Sequence, residues 1–388
     1  MPPMRAIGAA FLSVLSPAFG VAAEGQDDIT YQINLAHSGR VSLSNFDGTL
    51  KPLWTQNLGV GAVSYPLIGD GLVFVTAANA GGTGTELFAL DAATGAVAWQ
   101  QPIAGSHHWS NAAYENGQVF VVNFDGLVQA FAAGTGAPDW SVQMPGETEF
   151  SSPPASQNGF LYLAGTGKHG TVYEVDDGDG SVLWTAKVDG GAHSSPVLGV
   201  TGVSVTYACQ YYKFSVTTGD LIWHDREGCK GSGGRTAVWY KSLLFVRDPS
   251  LQNSILNDNS GKTVGTFQGQ TAPAFFTRGG RDFGVSLAGG TLGCFSTTTG
   301  KTVWSFAGDG HMSTAPIVVG DYVVEGSASG NLYVLNDRNG RLAWSGNVGV
   351  PIPAPDENGV SQPLTGLGAG DGVVIVPAGN QLSAFAPG

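Results

Sequence analysis

The 388-residue chain has few charged residues and very little cysteine. Asp, Glu, Lys and Arg make up only 12% of it, and it contains three cysteines. No two cysteines are adjacent and no CxxC or CxxCH spacing occurs, which argues against a cysteine metal site and against covalent haem attachment. Basic residues number 17 against 30 acidic ones, so the net charge is −13. This balance predicts that nucleic acid and anionic membrane surfaces are not partners.

Long apolar runs are missing beyond the first two dozen residues, which predicts no membrane span. The run from Ala6 to Val21 carries no charge, is interrupted by Pro17 and Gly20, and is followed by two alanines. That layout is typical of a secretory signal peptide, with a membrane anchor as the alternative. We predict a signal peptide over residues 1–23 and a single domain over residues 24–388. The mature protein is expected to be secreted or periplasmic, soluble and monomeric.

The three cysteines divide into a candidate pair and a single residue. In an oxidising compartment two of them can pair, and Cys209 and Cys229 flank one repeat junction. A disulfide between them is therefore predicted. Cys294 lies in an apolar run and is expected to be a small buried hydrophobic residue.

Glycine is abundant, at 59 residues, and it marks an internal repeat. Each copy has an apolar strand, a polar turn that ends in Gly, and in most copies a Trp four residues after that Gly. The turn glycines of seven copies are spaced by 39 to 44 residues: Gly95, Gly136, Gly180, Gly219, Gly261, Gly300 and Gly340. The copy at Gly261 is degenerate, because Gly265 and Phe267 stand where the others have Trp.

An eighth copy is divided between the two ends of the chain. Leu382–Phe385 supplies a strand without a Trp, and Leu53–Trp54 supplies a Trp without a preceding strand. A second, offset pattern of Ser/Thr-x-Pro followed by an apolar strand also recurs, so that each copy contains four short strands. We predict an all-β fold, an eight-bladed β-propeller of four-stranded antiparallel blades, closed by pairing of the N- and C-terminal strands.

The segment Phe88–Trp99, with its Ala-Leu-Asp strand, Thr-Gly turn and Trp, resembles the repeat of pyrroloquinoline-quinone-like β-propellers of the quinoprotein alcohol dehydrogenase-like superfamily. The resemblance covers essentially the whole mature chain and implies Trp side chains docked between blades. One branch of the superfamily holds the quinone with Ca²⁺ beneath a pair of adjacent cysteines, which this chain lacks. Another branch is an exported lipoprotein scaffold of outer-membrane barrel assembly, without a catalytic site. We predict no cofactor, and keep pyrroloquinoline quinone with calcium as the alternative.

Polar residues that precede the Ser/Thr-x-Pro segments are expected to ring one mouth of the central channel. Ligands bind where polar groups converge on a concave surface, and histidines could serve acid/base or metal chemistry. No metal site is predicted. The candidate ligand-binding residues at the channel mouth are His107, His108, Trp109, Glu149, His193, Arg235, Gln270, His311 and Gln362.

Two classes of function follow from this reading. The preferred one is an exported, non-catalytic binding or scaffolding propeller that contacts a protein, a glycan or a small ligand at the channel mouth. The alternative is a quinone- or metal-dependent oxidoreductase or a lyase-type enzyme with its site among the same residues. A repeat module of a larger envelope assembly is a third option. A stiff segment, Pro351–Glu357, is expected to form a lid or a partner-binding rim.

Overall fold

A computed structural model describes residues 27–59, 61–226, 234–248 and 253–388. These residues form strands and connecting turns, and the strands group into eight four-stranded sheets, one of which gains a fifth strand. The described part contains no helix long and apolar enough to cross a membrane. The predicted signal peptide, residues 1–23, and Cys229 lie outside the described residues.

Two strands precede the first complete blade: β1 (Arg40–Val41) and β2 (Leu50–Asn57). Blades 1 to 4 then follow in chain order. They are blade 1, β3 (Leu67–Gly69), β4 (Leu72–Ala78), β5 (Thr85–Asp91) and β6 (Val97–Ile103); blade 2, β7 (Ser110–Glu115), β8 (Gln118–Asn123), β9 (Leu127–Ala132) and β10 (Pro138–Gln143); blade 3, β11 (Ala155–Gln157), β12 (Phe160–Thr166), β13 (Gly170–Asp176) and β14 (Val182–Lys187); blade 4, β15 (Val197–Gly199), β16 (Gly202–Tyr207), β17 (Gln210–Phe214) and β18 (Leu221–Arg226).

The remaining blades continue the order, and the last one borrows a strand from the beginning of the chain. They are blade 5, β19 (Val238–Tyr240), β20 (Leu243–Val246), β21 (Ser254–Asn257) and β22 (Thr263–Thr266); blade 6, β23 (Ala274–Arg278), β24 (Arg281–Ala288), β25 (Thr291–Ser296) and β26 (Thr302–Phe306); blade 7, β27 (Ile317–Val319), β28 (Tyr322–Gly326), β29 (Asn331–Asn336) and β30 (Leu342–Asn347); blade 8, β31 (Gly368–Gly370), β32 (Val373–Ala378), β33 (Gln381–Pro387) and β2.

The predicted closure is confirmed by the antiparallel pairing of β2 with β33, in which Trp54 lies opposite Ala384. The first strand of each blade lies innermost, and the first strands of most neighbouring blades contact one another around the channel. The second strands are buried on both faces, as in β32, because each blade is covered by a blade on either side. The outermost strands alternate between exposed and half-buried residues, as in β10. The apolar core therefore lies in the seams between blades.

Six seams share one Trp contact that explains the Gly-x-x-x-Trp spacing. The indole nitrogen of Trp99 in blade 1 donates to the carbonyl oxygen of Ala133 in blade 2 at 2.7 Å, and the ring covers Gly136. A Cβ at Gly136 would lie 2.5 Å from that ring, and its φ of +69° also favours glycine. Equivalent indole bonds are made by Trp54, Trp140, Trp184, Trp223 and Trp304.

The seam between blades 5 and 6 is built differently, because blade 5 lacks the Trp. Phe245 and Phe275 lie 4.4 Å apart between ring centroids, and Phe267 packs edge-on against Phe245 at 5.5 Å. Four phenylalanines in all fill this seam, the fourth being Phe295. Aromatic packing of this kind replaces the indole hydrogen bond with apolar contact.

The two faces of the ring carry different connections, and we name them accordingly. The turn face carries the hairpin turns between first and second strands and between third and fourth strands. Asp70-Gly71 is one such turn, with φ of +54° and +74°, as a type I′ hairpin requires. The mouth face carries the other hairpins and the connections between blades, and the candidate site residues lie on these connections.

Two of the three cysteines lie within the described residues. Cys294 is buried with a free thiol, as predicted. Cys209 is buried in the turn between β16 and β17. Its pairing with Cys229 stays a prediction, because Cys229 lies outside the described residues.

Candidate functional site

The Ser/Thr-x-Pro segments position the mouth residues through one repeated hydrogen bond. The Ser64 hydroxyl accepts from the backbone N–H of Thr76 at 2.9 Å, at the end of the second strand of its own blade. Ser194 and Thr314 make the same contact in blades 4 and 7. This bond fixes the entry into each innermost strand, so the residues just before it are held at the mouth face.

A segment that the sequence did not reveal fills the channel from the turn face. We call residues Asp28–Val41 the plug. Its backbone meets the innermost strands in turn, beginning with two hydrogen bonds between Asp28 and Ile68 in blade 1. Further backbone bonds reach blades 2, 4, 5 and 6, the Thr30 hydroxyl donates to the Pro154 carbonyl oxygen at blade 3, and β1 pairs in parallel with β27 of blade 7. The Asp28 carboxyl group lies against the backbone of Ala369, so the plug touches blade 8 as well.

The plug buries apolar and polar side chains in the channel, among them one histidine. Tyr31 and Ile33 are at most 1% exposed. Both ring nitrogens of His37 face carbonyl oxygens, Nδ1 at 2.6 Å from Tyr31 and Nε2 at 3.1 Å from Pro196. Burial lowers the pKa of His37 to about 4, against the opposing effect of those two carbonyls. The channel is therefore packed with protein on this side.

A second segment closes the channel from the mouth face, and we call residues 351–362 the lid. Ile352 is 1% exposed and packs into the core of blades 7 and 8. Its carbonyl oxygen accepts from the Ser313 hydroxyl at 2.7 Å. Val360 packs against the cluster between blades 2 and 3, so the lid reaches across the mouth. The lid prediction for Pro351–Glu357 agrees with this position.

A buried ion pair holds the centre of the lid. Both carboxylate oxygens of Glu357 accept from Nη2 of Arg247, at 2.6 and 2.8 Å, and each side chain is at most 5% exposed. Arg247 also donates to the carbonyl oxygens of Thr236 at 3.0 Å and Gln270 at 3.2 Å. Burial raises the pKa of Tyr31 well above its usual value, and the nearby Glu357 carboxylate adds to that shift. Plug and lid therefore meet inside the channel.

Four of the candidate residues gather around this ion pair. Burial lowers the pKa of His193, and the carboxylates of Asp356 and Glu357 oppose that shift. The Glu149 carboxylate, just before blade 3, also acts to raise the pKa of His193. Burial and the neighbouring Arg247 lower the pKa of Arg235. Arg235 shares the carbonyl oxygen of Gln270 with Arg247, at 3.4 Å.

The other five candidates lie elsewhere. Trp109 is 2% exposed and belongs to the core between blades 2 and 3, so its indole packs there and does not face a ligand. The His107 ring packs against Phe124 at a tilt of 39°, with ring centroids 3.9 Å apart. His311 is exposed, while His108 and Gln362 are half-buried. The ring of residues predicted from the repeats is thus divided. Half-buried His193 and Arg235 lie next to the ion pair, with the exposed Glu149 and Gln270 at its edge, while the other five residues lie away from it.

Pyrroloquinoline quinone with Ca²⁺ does not fit the residues at the mouth. Such a site needs an open recess and several oxygen ligands for the ion. Here the recess is filled by the lid, and the Glu357 carboxylate is already used by Arg247. Within the described residues, no group of three or more His, Cys, Asp or Glu side chains is arranged to hold a metal ion.

An eight-bladed ring with Trp side chains docked on neighbouring turns is a pyrroloquinoline-quinone-like β-propeller. The chain belongs to the family described as outer membrane protein assembly factor BamB, whose model matches residues 37–156, 125–268 and 256–388.

Individual relatives agree with this family but are distant. The outer membrane protein assembly factor BamB of Yersinia pestis is 24% identical over 258 residues, which cover 61% of this chain and 56% of that protein. The match thus spans just over half of that relative. The crystal structure of BamB from Moraxella catarrhalis aligns with a TM-score of 0.66 at 17% identity, covering 87% of this chain and all of that one. A europium-containing methanol dehydrogenase aligns with a TM-score of 0.72 at 14% identity, over 94% of this chain and 98% of that chain. At these identities the solved structures show the fold alone.

Proposed function

We propose that this chain is a non-catalytic propeller that binds a protein partner in the bacterial envelope, through its mouth face. The observation that carries the proposal is the closure of the channel by plug and lid, fixed by the buried Arg247–Glu357 pair. A catalytic or small-ligand site at the mouth needs an open recess, whereas a protein partner needs a shaped outer surface. Family membership supports the same choice, because the curated relative is named as an assembly factor.

The lid has the features of a preorganised docking surface. Ile352 and Glu357 point inward, while Pro351, Ala354 and Asp356 are exposed. Prolines restrict the backbone of the free protein, so less conformational entropy is lost when a partner orders the segment. The exposed rim residues Glu149, Gln270 and His311 extend this surface around the mouth.

The proposed setting is the periplasm, and the proposed partner is a protein of the outer-membrane assembly machinery. The relative's printed name supports this setting, as does the signal peptide predicted over residues 1–23. A monomeric propeller stays a prediction, and so does the absence of nucleic-acid partners. A glycan or small ligand at the mouth is a weaker proposal, since the lid occupies the centre of the recess.

Site-specific photo-crosslinking in the native host tests the proposal. A photoreactive side chain at Ala354 on the lid is compared with one at Asn339 on the turn face, both of which are exposed. We expect the Ala354 probe to yield one defined adduct with an envelope assembly protein, and deletion of the gene to lower the abundance of outer-membrane β-barrel proteins. Adducts from the Asn339 probe alone, or unchanged barrel proteins in the deletion strain, would contradict the proposal.

The quinone- or metal-dependent enzyme stays the alternative and has its own test. The purified protein is incubated with pyrroloquinoline quinone and Ca²⁺ and examined by native mass spectrometry. A stoichiometric adduct that is lost in His193→Ala would move the function to the alternative. An unchanged mass supports the binding propeller.

A further inference from the structure

The turn face is electrostatically divided. The turns of blades 1 to 4 and 8 carry acidic residues and no lysine or arginine: Asp70, Asp91, Glu115, Asp176, Asp177, Asp179, Asp220 and Asp371. The turns of blades 5 to 7 carry seven of the chain's 17 basic residues: Lys241, Lys262, Arg278, Arg281, Lys301, Arg338 and Arg341. Four acidic residues accompany them: Asp258, Asp282, Asp321 and Asp337, of which Asp282 pairs with Lys241 at 2.6 Å. The net charge of −13 is a sum over the whole chain, so it does not reveal that the turns of blades 5 to 7 form a basic region.

A cavity of about 540 Å³ opens within the basic region, between the sheet of blade 6 and a turn of blade 7. Each strand of blade 6 contributes one apolar wall residue: Phe276, Phe283, Cys294 and Val303. The Phe276 and Phe283 rings stack with centroids 5.3 Å apart. Val303 is 49% exposed, so apolar surface reaches the opening. The volume lies within the range of pockets that take small organic ligands, about 300–1,000 Å³.

The cations of the cavity differ in what they already bind. Arg278 donates to Asp337 at 2.5 Å and to Asp321 at 2.7 Å, which satisfies its charge within the protein. Arg281 and Arg338 also line the cavity, are exposed, and form no ion pair with the described residues. Asp337 lines the cavity as well, but its carboxylate is paired with Arg278, and Arg338 acts on it and on Asp321 without forming an ion pair. Two exposed guanidinium groups that form no ion pair with the described residues therefore flank an apolar cavity.

We propose that this cavity binds a single amphiphilic anion, with its apolar body against Phe283 and Val303 and its phosphate or carboxylate group on Arg281 and Arg338. Guanidinium groups bind these anions through paired, charge-assisted hydrogen bonds. The apolar walls select a ligand with a hydrocarbon or aromatic portion over a free inorganic ion. The site lies on the turn face, so it is separate from the mouth-face docking surface.

Calorimetric titration with octyl phosphate below its micelle concentration tests the site. We expect one molecule bound per chain, and at least tenfold weaker binding in Arg281→Ala and in Arg338→Ala. Arg341→Ala is the matched control, because Arg341 lies in the same turn region but does not line the cavity. Phe283→Ala is expected to weaken octyl phosphate binding and to leave inorganic phosphate at its weak level. Unchanged melting temperatures for the two arginine variants show that their fold is intact.

The chemistry and the source of the ligand are separated by further probes. Octanol should bind at least tenfold more weakly than octyl phosphate, and inorganic phosphate likewise. Vesicles of phosphatidylglycerol are compared with vesicles of phosphatidylcholine. If the protein binds phosphatidylglycerol vesicles but not phosphatidylcholine vesicles, and if this binding needs Arg281, the ligand is a lipid headgroup. If it binds dissolved octyl phosphate but neither kind of vesicle, the ligand is a free amphiphile. Three outcomes would overturn the proposal. They are no heat of binding with octyl phosphate, octanol binding as tight as that of octyl phosphate, and a loss of affinity in Arg341→Ala as large as in the other two arginine variants.

Discussion

Within the described residues, one segment covers each end of the channel, and the two segments are held by different kinds of interaction. The plug enters from the turn face and is held by main-chain hydrogen bonds to successive blades and by buried apolar side chains. The lid closes the mouth face through one apolar anchor, Ile352, and one buried ion pair, Arg247–Glu357. Main-chain bonds do not depend on side-chain identity, whereas an ion pair is lost when either charge is removed. The plug is therefore the robust closure, and the lid is the closure that a single substitution can release.

Replacement of the plug should have the largest effect. A flexible Gly/Ser linker in place of residues 28–41 removes four large buried side chains: Tyr31, Ile33, Leu35 and Val41. At about 1.5–3 kcal/mol for each buried side chain, the free energy of unfolding should fall by more than about 6 kcal/mol. Urea unfolding measures this change. A loss below about 2 kcal/mol would show that the ring does not need its plug.

Breaking the ion pair of the lid comes next. Arg247→Ala or Glu357→Ala leaves one buried charge without its partner, so each should cost about 3–5 kcal/mol of stability. The double variant Arg247→Met, Glu357→Leu removes both charges and should be close to neutral. A double-mutant cycle by chemical unfolding provides the coupling between the two residues. Additive losses in the double variant would contradict a direct interaction.

The plug histidine gives the closure at the turn face a pH dependence. The pKa of His37 is lowered from 6.5 to about 4, so folding favours the neutral ring. Its contribution to stability is complete above pH 6.5 and is lost as the pH falls from 6.5 toward 4, by about 3 kcal/mol in all. Unfolding free energies between pH 7 and 4 should show this slope, and His37→Gln should lack it. Stability that stays level in the wild type would indicate a charged ring that donates to both carbonyls.

Substitutions on the exposed rim of the mouth should have the smallest effect. Glu149→Gln and Gln270→Ala alter exposed side chains, so each should change the stability by less than about 0.5 kcal/mol. Their melting temperatures should match the wild type within error. A loss above about 1 kcal/mol at either position would place that residue in the closure itself and not on its outer surface.

The sequence predicted the blades but not what fills the ring. Trp99 and Gly136 belong to a local repeat, and the bond from Trp99 to the next turn follows from that spacing. The plug has no counterpart in the repeats, and its partners are spread over most of the chain. Arg247 and Glu357 are 110 residues apart, and no local pattern connects them.

The sequence predicted only part of the candidate site, because the site too depends on contacts that no local pattern shows. Repeat alignment places residues at the mouth face, but it does not distinguish a side chain that faces the channel from one that faces the next blade. His193 and Arg235 turn toward the channel, while Trp109 packs between blades. The net charge also could not predict the cavity on the turn face, because it does not show that Arg281 and Arg338 lie at one cavity.

The pairing of β2 with β33 also governs when the protein can fold. Blade 8 takes its fourth strand from residues 50–57 and its third from residues 381–387, so the ring cannot close until the last of these residues has been synthesised. Contacts between such distant segments carry a high loop-closure cost and slow the folding step. The residues of β2 therefore remain without their final partners until β33 has been synthesised.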